Sequence, residues 1–286
     1  MIDWFAIGVR ALEILCKTAV TLAVVLGIFG CFLILALLLQ LVTLSLRRKW
    51  YDLLGEKSWI MLAAPGTVIH ETGHALFCLL FGHKILGMKL FSPGSDGTLG
   101  MVDHSWDSKS LYQRAGNFFI GTGPIIAGVA VIILCTALLL PEVWEELSPP
   151  EFYTFSDLAA GVVALICRMF RVLCDVELWH RWQTWVWLLV TLLTGSHITL
   201  SKADLKNAAT GFWIVLLALV VAALILSFFQ DPTELLFQYG SAHIACVLAI
   251  MIFILLVLLT FTLFLHLPVF QSASGGKKNT GKSAGK

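Results

Sequence analysis

The order of apolar and polar residues divides the chain into long apolar segments joined by shorter polar ones. A helix needs about 20 predominantly apolar residues to cross a bilayer, and five segments approach or exceed that length. These five segments are 18–46, 115–140, 182–201, 207–229 and 242–270. A sixth segment, 59–81, is long enough but contains ionisable residues, and a seventh, 158–174, is shorter and contains Arg168. The pattern predicts an all-α polytopic membrane protein with about six transmembrane helices.

The pattern changes between Gly82 and Ala115, where glycine and polar residues interrupt the apolar residues. Two short runs, KILGMKLF and GTLGMV, flank the stretch SPGSDG. Serine, proline, glycine and aspartate together are typical of a turn, and two extended runs on either side of a turn are typical of a hairpin. We therefore expect a short, membrane-associated β-hairpin directly after segment 59–81.

Composition supports the membrane interpretation. Apolar residues make up 58% of the 286 residues and charged residues 13%, and the mean hydropathy is +0.89, whereas an ordinary soluble domain has about 25% charged residues. This apolar surplus does not fit inside one core, so the lipid bilayer must be a partner of much of the surface. The net charge of +1 gives no information about nucleic acid. No basic run interleaved with aromatic residues appears, so we expect no nucleic-acid partner.

Charge in the connecting segments predicts the orientation. Segments 141–157 and 230–240 are acidic, whereas segment 82–114 and the Gly/Ser/Lys-rich tail 272–286 are basic. Because basic segments stay in the cytoplasm, the sequence predicts six spans with both termini inside. The run Arg47-Arg48-Lys49 conflicts with this orientation, which places it outside.

The sequence HETGH, residues 70 to 74, introduces candidate chemistry into an apolar segment. Residues four apart lie on one face of a helix, so His70 and His74 can bind one ion, and Glu71 can face its water. In HExxH sites the ion is Zn²⁺, which lowers the pKa of bound water to about 7, and the glutamate accepts the proton. The motif predicts a zinc-dependent hydrolase with Glu71 as the general base.

A catalytic zinc usually has a third protein ligand, and two regions downstream offer one. The stretch GSHITLSKADLKN contains His197 and Asp204, and the stretch GMVDHSWD contains Asp103 and His104. Ser201 and Asp204 also have the spacing of a helix capping box, which is compatible with ligation. Asp204 is the preferred candidate, and His197 and the Asp103/His104 region remain alternatives.

Three features in this order resemble the site-2 protease family of intramembrane zinc metalloproteases: HETGH in an apolar helix, a glycine-rich hairpin, and FFIGTGPIIAG. The resemblance covers about residues 59–213 and is to a bacterial branch without a PDZ domain. It implies one zinc ion held by His70, His74 and an aspartate that Asp204 matches by position, with Glu71 as the catalytic base. The surroundings of that aspartate, SKADLKN, differ from the Asn-Pro-Asp-Gly or Leu-Asp-Gly context usual in the family.

The resemblance also implies a function and a division of the chain. The expected activity is endopeptidase cleavage of membrane-anchored proteins or peptides, within or beside a bacterial cell membrane. The alternatives are a catalytically inactive scaffold of the same family and a metal or proton carrier that uses the same histidines. We expect an N-terminal helix and linker in 1–58, a protease-like core in 59–213, further transmembrane helices in 214–271 and a disordered basic tail in 272–286.

Overall fold

The structure, a computed structural model, describes residues 4–94, 97–147 and 154–267. The basic tail 272–286 and part of the acidic segment 141–157 therefore lie outside the described residues. The described chain is mostly helical, with one pair of strands, as the sequence predicts. In order, the elements are α1 Trp4–Leu54, α2 Glu56–Leu80, β1 Lys84–Lys89, β2 Met101–Ser105, α3 Leu111–Leu139, α4 Pro141–Glu146, α5 Phe155–Leu173, α6 Val176–Trp179, α7 Trp182–Gly195, α8 Lys202–Leu226 and α9 Pro232–Leu265.

Four helices among the described residues are long and apolar enough to cross a membrane, namely α1, α3, α8 and α9. α1 has 51 residues, which corresponds to about 77 Å and far exceeds the roughly 30 Å hydrocarbon core of a bilayer. It includes the predicted segment 18–46 and continues past Arg47. It ends before Gly55, whose φ of 78° lies in the left-handed region that favours glycine and turns the chain into α2.

The sequence predicts one continuous span over 182–201, and the structure divides this segment into a helix and a connection. Its helix, α7, has 14 residues and ends at Gly195, which gives a length of about 21 Å. Residues 196–201 form a turn and an extended connection, and Ser201 caps the start of α8. Hydropathy alone did not reveal this break, because Ile198 and Leu200 in the connection are apolar and buried.

The predicted hairpin is present. β1 and β2 are antiparallel, Lys84 lies opposite Ser105 and Lys89 opposite Met101, and a register shift lies between Ile85 and Gly87. β2 begins at Met101, near the end of the GTLGMV run, and continues through Asp103 and His104. The hairpin thus carries His104 back towards the C-terminal end of α2.

α3 contacts both helices that contain candidate ligands. Against α2, a Cβ on Gly73 would lie 2.7 Å from the carbonyl oxygen of Gly123, closer than real Cβ contacts allow. Gly121 lies against the backbone of Asp204 and Ala208 of α8. The glycines of HETGH and GTGP therefore permit close helix packing, and α3 brings α2 and the start of α8 together.

Candidate metal centre

His70, His74 and Asp204 form a compact group of metal-binding side chains. One ligand atom from each lies within 4.8 Å of the others, and this is the one such group found among the residues described. The two Nε2 atoms are 3.3 Å apart, and the carboxylate oxygens of Asp204 lie 3.2 Å from Nε2 of His74 and 3.8 Å from Nε2 of His70. Tetrahedral zinc with Zn–N bonds of about 2.05 Å separates two nitrogen ligands by about 3.3 Å. The group therefore fits zinc in ligand type and spacing.

Backbone carbonyl groups determine which nitrogen of each imidazole faces the centre. Nδ1 of His70 lies 3.0 Å from the carbonyl oxygen of His197, and Nδ1 of His74 lies 2.8 Å from that of Ile120. A carbonyl oxygen only accepts, so each Nδ1 must carry the hydrogen, and each neutral ring then has a lone pair on Nε2. Metal-binding histidines usually have a partner of this kind. Both lone pairs and a carboxylate converge on one point, which favours a cation there.

Asp204 has two roles in the structure. Its Oδ2 atom accepts from the backbone N–H of Ser201 at 2.7 Å, and its own N–H donates to Oγ of Ser201 at 3.1 Å. This capping box begins α8. The other oxygen, Oδ1, is the one 3.2 Å from Nε2 of His74. The cap therefore orients the carboxylate towards the two histidines.

The alternative ligands lie elsewhere in the structure. Nδ1 of His197 is 3.0 Å from both Oγ of Ser196 and the carbonyl oxygen of Leu193, and its ring stacks on Trp59 with an interplanar angle of 9°. His197 thus contributes its carbonyl oxygen to the site and directs its ring away. Asp103 and His104 lie on β2, outside the three-residue group.

A second pair of histidines lies beside the site. His83, which follows the end of α2, is only 5% exposed, and its Nε2 atom donates to the carbonyl oxygen of Gln113 at 2.7 Å. Its Nδ1 atom therefore accepts from Nδ1 of His104 at 3.1 Å. Nε2 of His104 then faces the side-chain nitrogen of Asn207 at 3.5 Å. Burial, followed by the nearby imidazole of His83, lowers the pKa of His104.

No sequence spacing indicated this arrangement, because the two histidines are 21 residues apart and meet only when the hairpin forms. The resulting row of polar groups connects the end of α2 and the start of α3 with β2 and α8. It fixes the second strand of the hairpin beside the three-residue group.

The group opens into a cavity of about 810 Å³ between α1, α2, the hairpin and the α7–α8 connection. His70, Glu71 and His74 line it together with Asp204. Glu71 is 8% exposed, and a Cβ on Gly100 of the hairpin would lie 2.6 Å from its Cγ. The hairpin thus covers Glu71 closely, which requires glycine at that position. A carboxylate next to two convergent histidines, in a cavity of this size, can exchange a proton with a bound water or substrate.

The chain was compared with models of protein families, with curated proteins and with solved structures, and none of the three comparisons found a match.

Proposed function

We propose that this chain is a zinc-dependent endopeptidase of the site-2 protease type, which cleaves membrane-anchored proteins or peptides. The observation that supports it most is the convergence of three acceptor groups, Nε2 of His70, Nε2 of His74 and Oδ1 of Asp204, beside the carboxylate of Glu71. The resemblance of HETGH, the hairpin and GTGP to that family supports the choice of reaction.

Each residue of the site has a distinct part in the proposed reaction. A zinc ion bound by His70, His74 and Asp204 would supply Lewis-acid polarisation of the peptide carbonyl and lower the pKa of a bound water. Glu71 accepts a proton from the attacking water at its carboxylate and then donates it to the departing amine. The carbonyl groups of His197 and Ile120 hold the two imidazoles in the required tautomer.

The substrate is proposed to enter in an extended conformation. A helical segment must unwind before hydrolysis, because its carbonyl groups are bonded within the helix. The hairpin is a two-stranded sheet, so each strand has one edge that does not pair with the other. We propose that an extended segment pairs with such an edge by strand addition, next to the site.

The membrane arrangement completes the proposal. In addition to the four long apolar helices, α2 and the shorter α7 are proposed to lie at membrane depth, which gives about six spans. The ionisable groups in the middle of α2, His70, Glu71 and His74, line the cavity and so avoid lipid. We propose a bacterial cell membrane as the location. Thr21 contacts Thr233 and Trp50 contacts Phe261, so α1 and α9 run in the same direction. Two cytoplasmic termini, expected from the charge pattern, do not fit two parallel membrane-spanning helices.

The test compares the purified full chain with Glu71→Gln, which retains the size of the side chain and removes the base. Zinc content is measured by mass spectrometry and cleavage is measured with a membrane-anchored reporter in detergent or liposomes. Glu145→Gln, on the short helix α4, is the matched control. We expect zinc in all three proteins and cleavage in the wild type and the control only. Equal processing by Glu71→Gln would refute the protease and favour a scaffold or a carrier.

A further inference from the structure

One wall of the cavity has polar residues that the proposed reaction does not use. Gln40, Thr43 and Arg47 of α1 line the same cavity as the hairpin and the metal-binding residues. Their spacing of three and four residues places them on one face of the helix. Gln40 and Thr43 fall within the long apolar segment 18–46, where a polar side chain facing lipid is costly. Their position on the cavity wall suggests a ligand with polar groups.

Thr43 provides a second, independent observation. Its hydroxyl is buried and has no hydrogen-bond partner, and the side chain as a whole is 8% exposed. Thr18 and Thr21 of the same helix instead donate to the carbonyl oxygen four residues earlier, at 2.9 and 2.8 Å. A buried hydroxyl without a partner is unfavourable. The hydroxyl of Thr43 therefore keeps its full hydrogen-bonding capacity, which a rotation of the side chain towards the cavity would offer to a ligand.

Arg47 adds a positive charge to this wall. Its guanidinium carbon lies 5.4 Å from the centroid of the Trp59 ring, and no carboxylate forms an ion pair with it among the residues described. The face of the guanidinium is occupied by the indole, which leaves the N–H groups at its edge for a ligand. Such an edge matches the two oxygens of a carboxylate.

A chain of contacts links Arg47 to the metal centre through the rings of Trp59 and His197. Trp59, under Arg47, is 5% exposed and stacks on His197, whose carbonyl oxygen accepts from His70. The carboxylates of the cavity wall, Glu71 and Asp204, are on α2 and α8, and α8 also contributes Lys206 to the wall. Arg47 is thus a cation on a different helix from the metal-binding residues, and it suits an anionic group of a ligand.

We propose that Gln40, Thr43 and Arg47 form a substrate subsite in which Arg47 binds a carboxylate of the peptide. The carboxylate comes from an aspartate or glutamate side chain or from a free C-terminus. Gln40 and Thr43 bind polar groups of the same segment of substrate. The subsite rests on the proposed peptidase function, because it assumes that the cavity holds a peptide.

Binding is tested in the zinc-loaded Glu71→Gln protein, so that the result does not depend on cleavage. The ligands are fluorescein-labelled leucine–alanine octapeptide amides with one glutamate at each position in turn, the matching glutamine peptides, and one glutamine peptide with a free C-terminus. Fluorescence anisotropy gives each Kd. We expect at least one carboxylate peptide to bind about tenfold more tightly than its neutral counterpart. The position of the preferred carboxylate distinguishes a side chain from a C-terminus.

Variants of two adjacent arginines then test the assignment. Arg47→Gln should abolish the preference, Arg47→Lys should retain part of it, and Arg48→Gln, whose side chain does not line the cavity, should leave it unchanged. Equal zinc content in all variants shows that the centre is intact. A preference that survives Arg47→Gln, or no binding of any peptide, would overturn the subsite. Binding of phosphatidylglycerol that depends on Arg47, with equal binding of both kinds of peptide, would assign Arg47 to lipid and also overturn it.

These outcomes separate the subsite from the peptidase. If the wild type cleaves its reporter but shows no preference for carboxylate peptides, the subsite is wrong and the proposed function stands. If the preference depends on Arg47 but the wild type cleaves no reporter, the carboxylate site is supported and the peptidase is not.

Discussion

Asp204 allows the metal ligand and the helix cap to be tested separately. Asp204→Asn retains an oxygen that can accept from the backbone of Ser201, and it removes the negative charge that lies 3.2 Å from His74. Ser201→Ala removes only the hydroxyl that accepts from the N–H of Asp204, and it keeps the backbone N–H of Ser201 that orients the carboxylate. The two substitutions should therefore affect different quantities, Asp204→Asn the zinc affinity and Ser201→Ala the stability.

The expected magnitudes follow from the contacts. Loss of a residue that only orients a metal ligand weakens metal binding by about 10- to 100-fold. Loss of a direct ligand should cost at least the upper value, so Asp204→Asn should raise the zinc Kd by about 100-fold or more, which is about 2.7 kcal/mol. Ser201→Ala should lower the free energy of unfolding by about 1 kcal/mol and change the zinc Kd little.

The assay is competition for zinc between the detergent-solubilised protein and a chromophoric chelator, combined with thermal unfolding of the metal-free protein. His197→Ala is the third member of the series. It keeps the backbone carbonyl that orients His70, so its zinc affinity should stay near that of the wild type. A zinc Kd that is unchanged in Asp204→Asn but raised by His197→Ala would refute the assigned third ligand.

Three further predictions test the packing and the ion. Gly73→Ala should destabilise the fold by about 1–3 kcal/mol, because its Cβ would lie 2.7 Å from the Gly123 carbonyl oxygen. The control Gly27→Ala, whose Cβ would have nothing within 4 Å, should stabilise α1 by up to about 1 kcal/mol. Equal melting temperatures of the two variants would contradict this. His83→Phe should cost about 1–3 kcal/mol in thermal unfolding, because the Gln113 carbonyl group loses its donor, and zinc content should not change. Removing zinc with a chelator should lower the melting temperature and abolish reporter cleavage, and added zinc should restore both; cleavage that persists without metal would exclude the proposed chemistry.

The sequence indicated those parts of the site that depend on short-range spacing. His70 and His74 are one helical turn apart, and Ser201 and Asp204 have the spacing of a capping box, so both pairs could be identified along the chain. The approach of α2 to the start of α8 could only be proposed as one of several alternatives, because it depends on how α3 packs against both helices. The glycines at 73 and 123 were visible, but their mutual contact was not.

Other features have no signature in the sequence. His197 contributes to the site through its backbone carbonyl, which orients His70. Every residue has such a carbonyl, so the sequence could indicate only the imidazole ring, which does not face the centre. The pairing of His83 with His104 depends on hairpin register, which a shift between Ile85 and Gly87 alters. The sequence also did not predict that α7 ends at Gly195, because apolar residues continue beyond it in the connection to α8. Whether zinc binds stays a prediction.

The carboxylate of Asp204 both caps α8 and faces the two histidines, and this double role restricts which residue can replace it. A glutamate would extend one oxygen further from the backbone and could not reach both the Ser201 N–H and the imidazoles from the same place. A histidine could coordinate an ion but has no carboxylate oxygen to accept from the N–H of Ser201 at the same time. Losing the ion should therefore loosen the first turn of α8 as well, so that amide exchange at the beginning of this helix reports occupancy of the centre.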